Sequence, residues 1–394
     1  MNRTTRIWAL SGAAAVSVGF ARFGYALILP AMQTDLKLNY AQAGWLNTAN
    51  SLGYLLGALL TILVVARLGN RFLFASGLVV TTSSLLATGM TYDFEWLTLY
   101  RFLAGFGAAG AFICGGVLSG VLGTRAIVIF FSGGGLGMLL TGAVLPWLFY
   151  DTGADAWPWA WLVIGAICIP LSFAAIAASA RIQEPSLPTQ SASWTWRLCI
   201  VEFIAYFFFG LGYIAYMTFI IAWVKHQTTD PSRLASITSI MWILLGAMTL
   251  VAPVIWRKVF NGRRDGMPMA LALLVLACGA ALPLLVPNLI GIWLSALLVG
   301  ASVFMVPSAV TGFVKTNLPA PAWGNALAVA TSLFALGQAI GPVVCGWISD
   351  LTGSLSSGLA ASAGLLFLAA VLAFCQRPLS PMAAGRSDYT RSTR

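Results

Sequence analysis

Three charged side chains, Arg22, Arg101 and Glu202, stand inside long apolar runs of the chain. A charge at mid-bilayer depth costs at least ~2.5 kcal/mol, so each needs a partner, a wet cavity or a ligand. Arg22 precedes Pro30 by eight residues and Arg101 follows Glu95 by six. At the rise of a helix, both lie about 9 to 12 Å inside the same edge of the apolar layer. Two guanidiniums at one level suit a carboxylate or phosphate, because the planar fork donates two parallel hydrogen bonds. The N-terminal half carries no acid inside a run to neutralise them. The bland reading is that each arginine caps backbone carbonyls or extends to the surface. Glu202, five residues into its run, is a candidate proton carrier; paired with Arg197, it would be an ordinary interfacial acid.

Softer polar groups supplement the arginines. Asn47, Asn50 and Tyr54 recur at i, i+3 and i+7 and so share one helix face. Tyr25, Tyr213, Tyr216, Trp242 and Gln338 are candidates to join them as a substrate-binding set, although buried aromatics more often simply pack. The single histidine, His226, is expected to be solvated. Gly105-x-Gly107-x-x-Gly110 fits a dinucleotide-binding pattern but has no strand before it, and close helix packing explains it better. No H-E-x-x-H, Walker loop or G-x-S-x-G occurs, which argues against an enzyme. Six cysteines at no metal-ligand spacing give no reason to expect a metal, a cofactor or a disulfide framework.

The elements that must position these groups are legible from composition. Of the 394 residues 59% are hydrophobic and only 8% charged, which excludes a soluble globular chain. The apolar residues come in runs near the ~20 needed to cross a bilayer. Twelve helices are predicted, the first six at 7–31, 41–66, 72–91, 95–122, 127–149 and 157–180. The second six lie at 197–224, 233–256, 267–286, 289–314, 322–348 and 356–376. The expected division is a six-helix bundle over 1–180, a polar central loop over 181–196, a second bundle over 197–376 and a polar tail over 377–394.

Charge placement gives the expected orientation. With a cytoplasmic N-terminus, that side holds most of the bases, among them Arg3, Arg6, Arg67, Arg71, Arg125, Arg257, Lys258 and Lys315. The opposite side holds Asp35, Asp93, Glu95, Asp151, Asp155, Asp230 and Asp350. This is the positive-inside asymmetry of a bacterial inner-membrane protein with both termini cytoplasmic. The net charge of +10 is therefore a topology signal, with no nucleic-acid partner implied. A cleavable leader opening at Arg3 and Arg6 would leave an odd number of spans and scramble the pattern.

The halves also resemble each other. Gly24-Tyr25 aligns with Gly212-Tyr213, Gly57-Ala58 with Gly246-Ala247, and Leu136-Gly137 with Leu336-Gly337. A duplicated six-span unit places a substrate site between its halves near the midplane. Leu97, Arg101, Gly105 and Ala109 resemble the span-four motif of the major facilitator superfamily. Ala66-Arg67-Leu68-Gly69-Asn70-Arg71 resembles that family's gate motif, with Arg67, Gly69 and Arg71 keeping its basic and turn elements and Ala66 where Asp is usual. Gly337 through Gly341-Pro342, Gly346 and Asp350 is similar to its Gly-Pro packing run. Phe20 to Tyr25 and Tyr40 to Gly57 more narrowly resemble the YbfB/YjiJ-type bacterial permeases.

The resemblance implies an all-α integral membrane protein with the major facilitator fold: twelve transmembrane helices in two pseudo-symmetric six-helix bundles. It implies a secondary active transporter working by alternating access, monomeric and lipid-embedded, with a small-molecule substrate and protons as the candidate coupling ion. With Arg22 and Arg101 inside, the expected substrate is a small organic anion or zwitterion. The alternatives are proton-driven efflux of amphipathic or drug-like compounds, for which an acid in the N-terminal half would be expected, and a transporter-like membrane sensor.

Overall fold

The computed structural model describes residues 2–183, 196–260 and 263–379. Most of the expected central loop and tail, 184–195 and 380–394, lies outside these residues. Among them, twelve helices are long and apolar enough to cross a membrane. They are α1 (Arg3–Leu36), α2 (Tyr40–Leu68), α3 (Asn70–Thr88), α4 (Phe94–Val121), α5 (Thr124–Thr152) and α6 (Trp157–Ser179). The second six are α7 (Ile200–Gln227), α8 (Pro231–Phe260), α9 (Met267–Leu285), α10 (Leu289–Asn317), α11 (Trp323–Thr352) and α12 (Leu355–Cys375). Helices dominate because lipid offers no hydrogen bonds, so each backbone group must be satisfied within its own segment.

Local signals set the ends. Asn39 Oδ1 accepts from the Gln42 N–H at 2.7 Å while Gln42 Oε1 accepts from the Asn39 N–H at 3.1 Å, a reciprocal cap that starts α2. Asp93 caps α4 through the N–H groups of Glu95 and Trp96. Between α2 and α3, Gly69 sits at φ +79°, a conformation L side chains rarely adopt.

Two helices depart from the sequence expectation. The first runs five residues past the predicted end at 31, through Pro30 to Leu36, and contains a π-helical stretch over Ala15–Phe23. The tenth, predicted as continuous, is two pieces, Leu289–Ser302 and Met305–Asn317. Pro307 stands in the first turn of the second piece, where its missing N–H costs least.

The two bundles repeat one packing scheme. Gly24 of α1 is pressed against Ile164 of α6, and its counterpart Gly212 of α7 against Ser362 and Leu366 of α12. Gly137 of α5 lies on Gly19 of α1, as Gly337 of α11 lies on Phe207 of α7. The third aligned pair is not equivalent: Gly57 faces Phe106 of α4, whereas Gly246 faces Gly135 of the other bundle. The dinucleotide-like glycines are packing contacts. A Cβ on Gly105 would come 1.9 Å from the Asn50 carbonyl of α2, and one on Gly107 2.5 Å from the Gly77 carbonyl of α3.

The bundles meet along α2–α11 and α5–α8, where Gly44 abuts the Pro342 backbone, Gly346 the Tyr40 backbone and Gly142 the Trp242 side chain. Helix α1 lies innermost, its most apolar window wholly buried. The face carrying Arg3 and Cys375 is called terminal below, and the opposite face distal.

Candidate functional site

Near the middle of α1 the π-helical stretch widens the turn just before Gly24, whose N–H reaches back to the Gly19 carbonyl. The two arginines beside this stretch have opposite fates. Arg101 of α4 is 0% exposed and belongs wholly to the first bundle. Its Nη1 donates to the Ala21 carbonyl at 2.7 Å, and its guanidinium lies 4.8 Å from the ring centre of Tyr25 and 5.1 Å from that of Trp161. Both rings offer their negative faces to the charge. Tyr25 is itself fixed by donating to the Ala43 carbonyl at 2.7 Å, and Asn50 Nδ2 donates to the Arg101 carbonyl at 3.0 Å.

Arg22 instead reaches across to the second bundle. Its Nη2 donates to Gln338 Oε1 of α11 at 2.9 Å and to Ser51 Oγ of α2 at 3.3 Å. The Gln338 amide in turn donates to the Tyr213 hydroxyl of α7. Tyr54 of α2 sits beneath the guanidinium, 5.0 Å from ring centre to Arg22 Cζ. Nη1 has no protein acceptor among the described residues, and Nε is buried without one. Neither arginine forms an ion pair among those residues. The site therefore holds a positive charge and two nitrogens, Nη1 and Nε, without acceptors among the described residues, where α1, α2, α7 and α11 converge.

The structure thus brings together Arg22, Tyr54, Tyr213 and Gln338 of the sequence-predicted set. It places Arg101, Tyr25 and Asn50 in the neighbouring sealed cluster. Asn47 crosses between the bundles to Thr218 Oγ1 at 2.5 Å, leaving its own Oδ1 buried without a partner. Tyr216 pairs with Ser295 on α10 at 2.6 Å, and Trp242 packs on Gly142 of α5 with its indole N–H unpartnered. Exposed His226, expected only to meet solvent, also shares a 2.7 Å hydrogen bond with the Tyr40 hydroxyl of the other bundle.

Glu202 is 1% exposed near the terminal end of α7 and forms no ion pair with Arg197 or another base among the described residues. Both carboxyl oxygens lack hydrogen bonds, while its N–H donates to Gln376 Oε1 at 3.2 Å. Tyr213 lies eleven residues further on, about 16 Å along the helix. Arg67, Gly69 and Arg71, expected from the motif resemblance to form a gate, lie at the α2–α3 turn on the terminal side, with Arg67 exposed. No group of His, Cys, Asp and Glu is placed to hold a metal among the described residues.

Sequence reasoning passed over Ser51, Thr218 and Trp161, and a stack of four rings beside Gln338. Tyr206, Phe209 and Tyr213 of α7 and Phe334 of α11 lie within 8° to 14° of parallel, with centroids 4.6 to 5.8 Å apart. The i, i+3, i+7 spacing of the first three was the available signal.

A solved bacterial homologue of the human lysosomal transporter Spinster, inward-facing and occupied, superposes with a TM-score of 0.73 at 15% identity, over 96% of this chain and 99% of that one. The chain is 41% identical over 66 residues to a putative tartrate transporter of Agrobacterium vitis, covering 17% of this chain and 15% of that one. It is 28% identical over 85 residues to the niacin transporter NiaP of Acinetobacter baylyi, covering 22% of this chain and 19% of that one. The matches thus span under a fifth of either relative's length. The family model described as uncharacterised MFS-type transporter YbfB matches residues 14–374, and the chain belongs to that family: it is a multi-pass membrane transporter of the major facilitator superfamily, not an enzyme.

Proposed function

We propose that the protein is a secondary active transporter of a small organic anion or zwitterion, with Arg22 as the anchor of the substrate's negative group. The observation that carries the reading is the state of that guanidinium. It is 7% exposed, lies where the bundles meet and, among the described residues, has no ion-pair partner and keeps Nη1 without an acceptor. A buried charge in this condition is costly, and an anionic guest offsets the cost. The named substrates of the two partial relatives, tartrate and niacin, are carboxylates, which supports the same class.

Binding is linked to movement through Gln338. An anion that takes the Nη2 donor competes with Gln338 Oε1, and so loosens a tie between the bundles at the moment of occupancy. A ligand shifts a two-state equilibrium by its differential affinity, and this exchange of acceptors supplies the difference. Arg101 acts as a positioning residue, holding the Ala21 carbonyl and hence the stretch from which Arg22 projects. Glu202 is the candidate proton site. The termini are assigned to the cytoplasm of a bacterial inner membrane, on the placement of bases at the terminal face.

The test is thermal stabilisation of the purified protein across organic anions, followed by transport in liposomes. Anions should stabilise the wild type, and Arg22→Ala should abolish both effects. Stabilisation by cations alone, or intact anion transport in Arg22→Ala, would overturn the assignment.

A further inference from the structure

Within the anion reading, on which this inference rests, the surroundings of Arg22 narrow the guest further. A second accessible cation beside Arg22 would favour a dianion. Arg101 cannot serve as the second, because it is fully buried between Tyr25 and Trp161 inside its own bundle. Arg22 is partly committed as well: Ser51 and Gln338 hold Nη2 until a guest displaces them, one face is covered by Tyr54, and Nη1 and Nε have no acceptor among the described residues. That pattern fits one carboxylate.

The rest of the guest would meet flat aromatic surface. Tyr213 touches Gln338 and begins a wall of nearly parallel rings that continues through Phe209 to Phe334 and Tyr206. A Cβ on Gly210 would come 2.3 Å from the Phe334 carbonyl, so α7 and α11 touch backbone to backbone and hold the rings in register. Phe334 is only half-buried, as is Tyr54 on the other bundle. The half-buried Phe334 ring is flat surface against which another planar ring can stack in an offset arrangement.

We infer that the substrate is a planar aromatic or heteroaromatic monocarboxylate, its carboxylate on Arg22 and its ring against the wall formed by Tyr213 and Phe334.

Benzoate and cyclohexanecarboxylate make the deciding pair, since they share charge and approximate size and differ in planarity. Binding to the purified full-length protein should favour benzoate by about three- to tenfold, the range of a stacked ring pair. Phe334→Leu should erase that preference, bringing the two acids to within about twofold of each other, and a wild-type helical circular dichroism spectrum would show that the variant is folded. Phe334→Trp, which keeps a flat face, should retain it. Equal affinities, a preference for the saturated ring, or tighter binding of tartrate would overturn this inference and leave the anion reading standing. Absence of binding by every carboxylate would overturn both.

Discussion

Asp350, at the distal end of α11, grips the first turn of α2 in the other bundle through Tyr40. Oδ1 accepts from the Tyr40 N–H at 3.0 Å, and Oδ2 accepts from the next N–H, that of Ala41, at 2.8 Å. A carboxylate at a helix N-terminus satisfies orphan donors and meets the positive end of the helix dipole. Lys225 adds a second tie, donating to the Pro30 carbonyl at 3.0 Å and to Thr34 Oγ1 at 2.6 Å. The bundles are thus latched on the distal face, and alternating access requires these bonds to break. Asp350→Asn keeps one acceptor and removes the charge. It should raise the distal-open population by about two- to fivefold, the effect of an exposed helix-end charge. Labelling of a cysteine introduced at Ala31, which is buried in the distal part of α1 next to the Pro30 carbonyl that Lys225 holds, would report it. Unchanged labelling would mean that the latch resides in Lys225 and the glycine contacts.

Gln338 bridges Arg22 to Tyr213, and because its amide is neutral the Arg22 charge stays open to a guest. Gln338→Glu is nearly isosteric but supplies a built-in carboxylate 2.9 Å from Nη2. The internal ion pair should satisfy the guanidinium and weaken anion binding more than tenfold, while raising the melting temperature. Titration of the variant with the best wild-type ligand measures the first effect and a thermal melt the second. Retained affinity would show that the guest does not use the Arg22 charge.

The two arginines should separate cleanly in stability. Arg101 is stacked on two rings and donates to a backbone carbonyl, so Arg101→Leu removes favourable contacts and leaves the Ala21 carbonyl without its partner. A loss of about 2 to 4 kcal/mol is expected for such a buried group. Arg22→Leu also removes a buried charge with no counter-ion, but one held by side chains, Gln338 and Ser51, that can turn to other partners; it should cost less stability than Arg101→Leu while abolishing binding. Groups that bind a guest are often unfavourable in its absence. Equal destabilisation by the two substitutions would contradict the division of roles.

These contrasts also mark what could be read from the chain alone. The number of spans was legible because lipid demands long apolar helices, and Arg22 and Arg101 stood out because charge inside such runs is rare. Which arginine faces the partner bundle was not legible. That depends on the π-helical stretch over Ala15–Phe23, and the sequence AVSVGFARF differs in no obvious way from an α-helical run. Asn47, Asn50 and Tyr54 do share a face, yet that face spans three environments: Asn47 meets Thr218, Asn50 the Arg101 carbonyl and Tyr54 the Arg22 guanidinium. Periodicity gives the side of a helix and says nothing of the neighbour across it. Ser51 and Thr218 were hidden by their commonness, since small hydroxyl residues in membrane helices usually bond their own backbone, as Thr218 also does to Ile214.

Glu202 offers the last test, because its position separates substrate binding from energy coupling. Its carboxyl is buried near the terminal end of α7 beneath the turn before α9, where a Cβ on Gly266 would come 2.9 Å from Oε2. Gln376, which accepts from the Glu202 N–H, ties this turn to the end of α12 through the bond from the Gly266 N–H to the Gln376 carbonyl. A carboxyl there, without a base beside it, can take up a proton from the terminal face, yet it lies about 16 Å along the helix from Tyr213. Glu202→Gln preserves shape and removes titration. Ligand affinity at Arg22 should remain within about twofold, while accumulation in liposomes driven by an imposed pH gradient should disappear. Exchange of labelled for unlabelled substrate, which needs no net proton movement, should persist. Gradient-driven accumulation at the wild-type rate would show instead that the proton travels elsewhere and that Glu202 only supports the terminal turn.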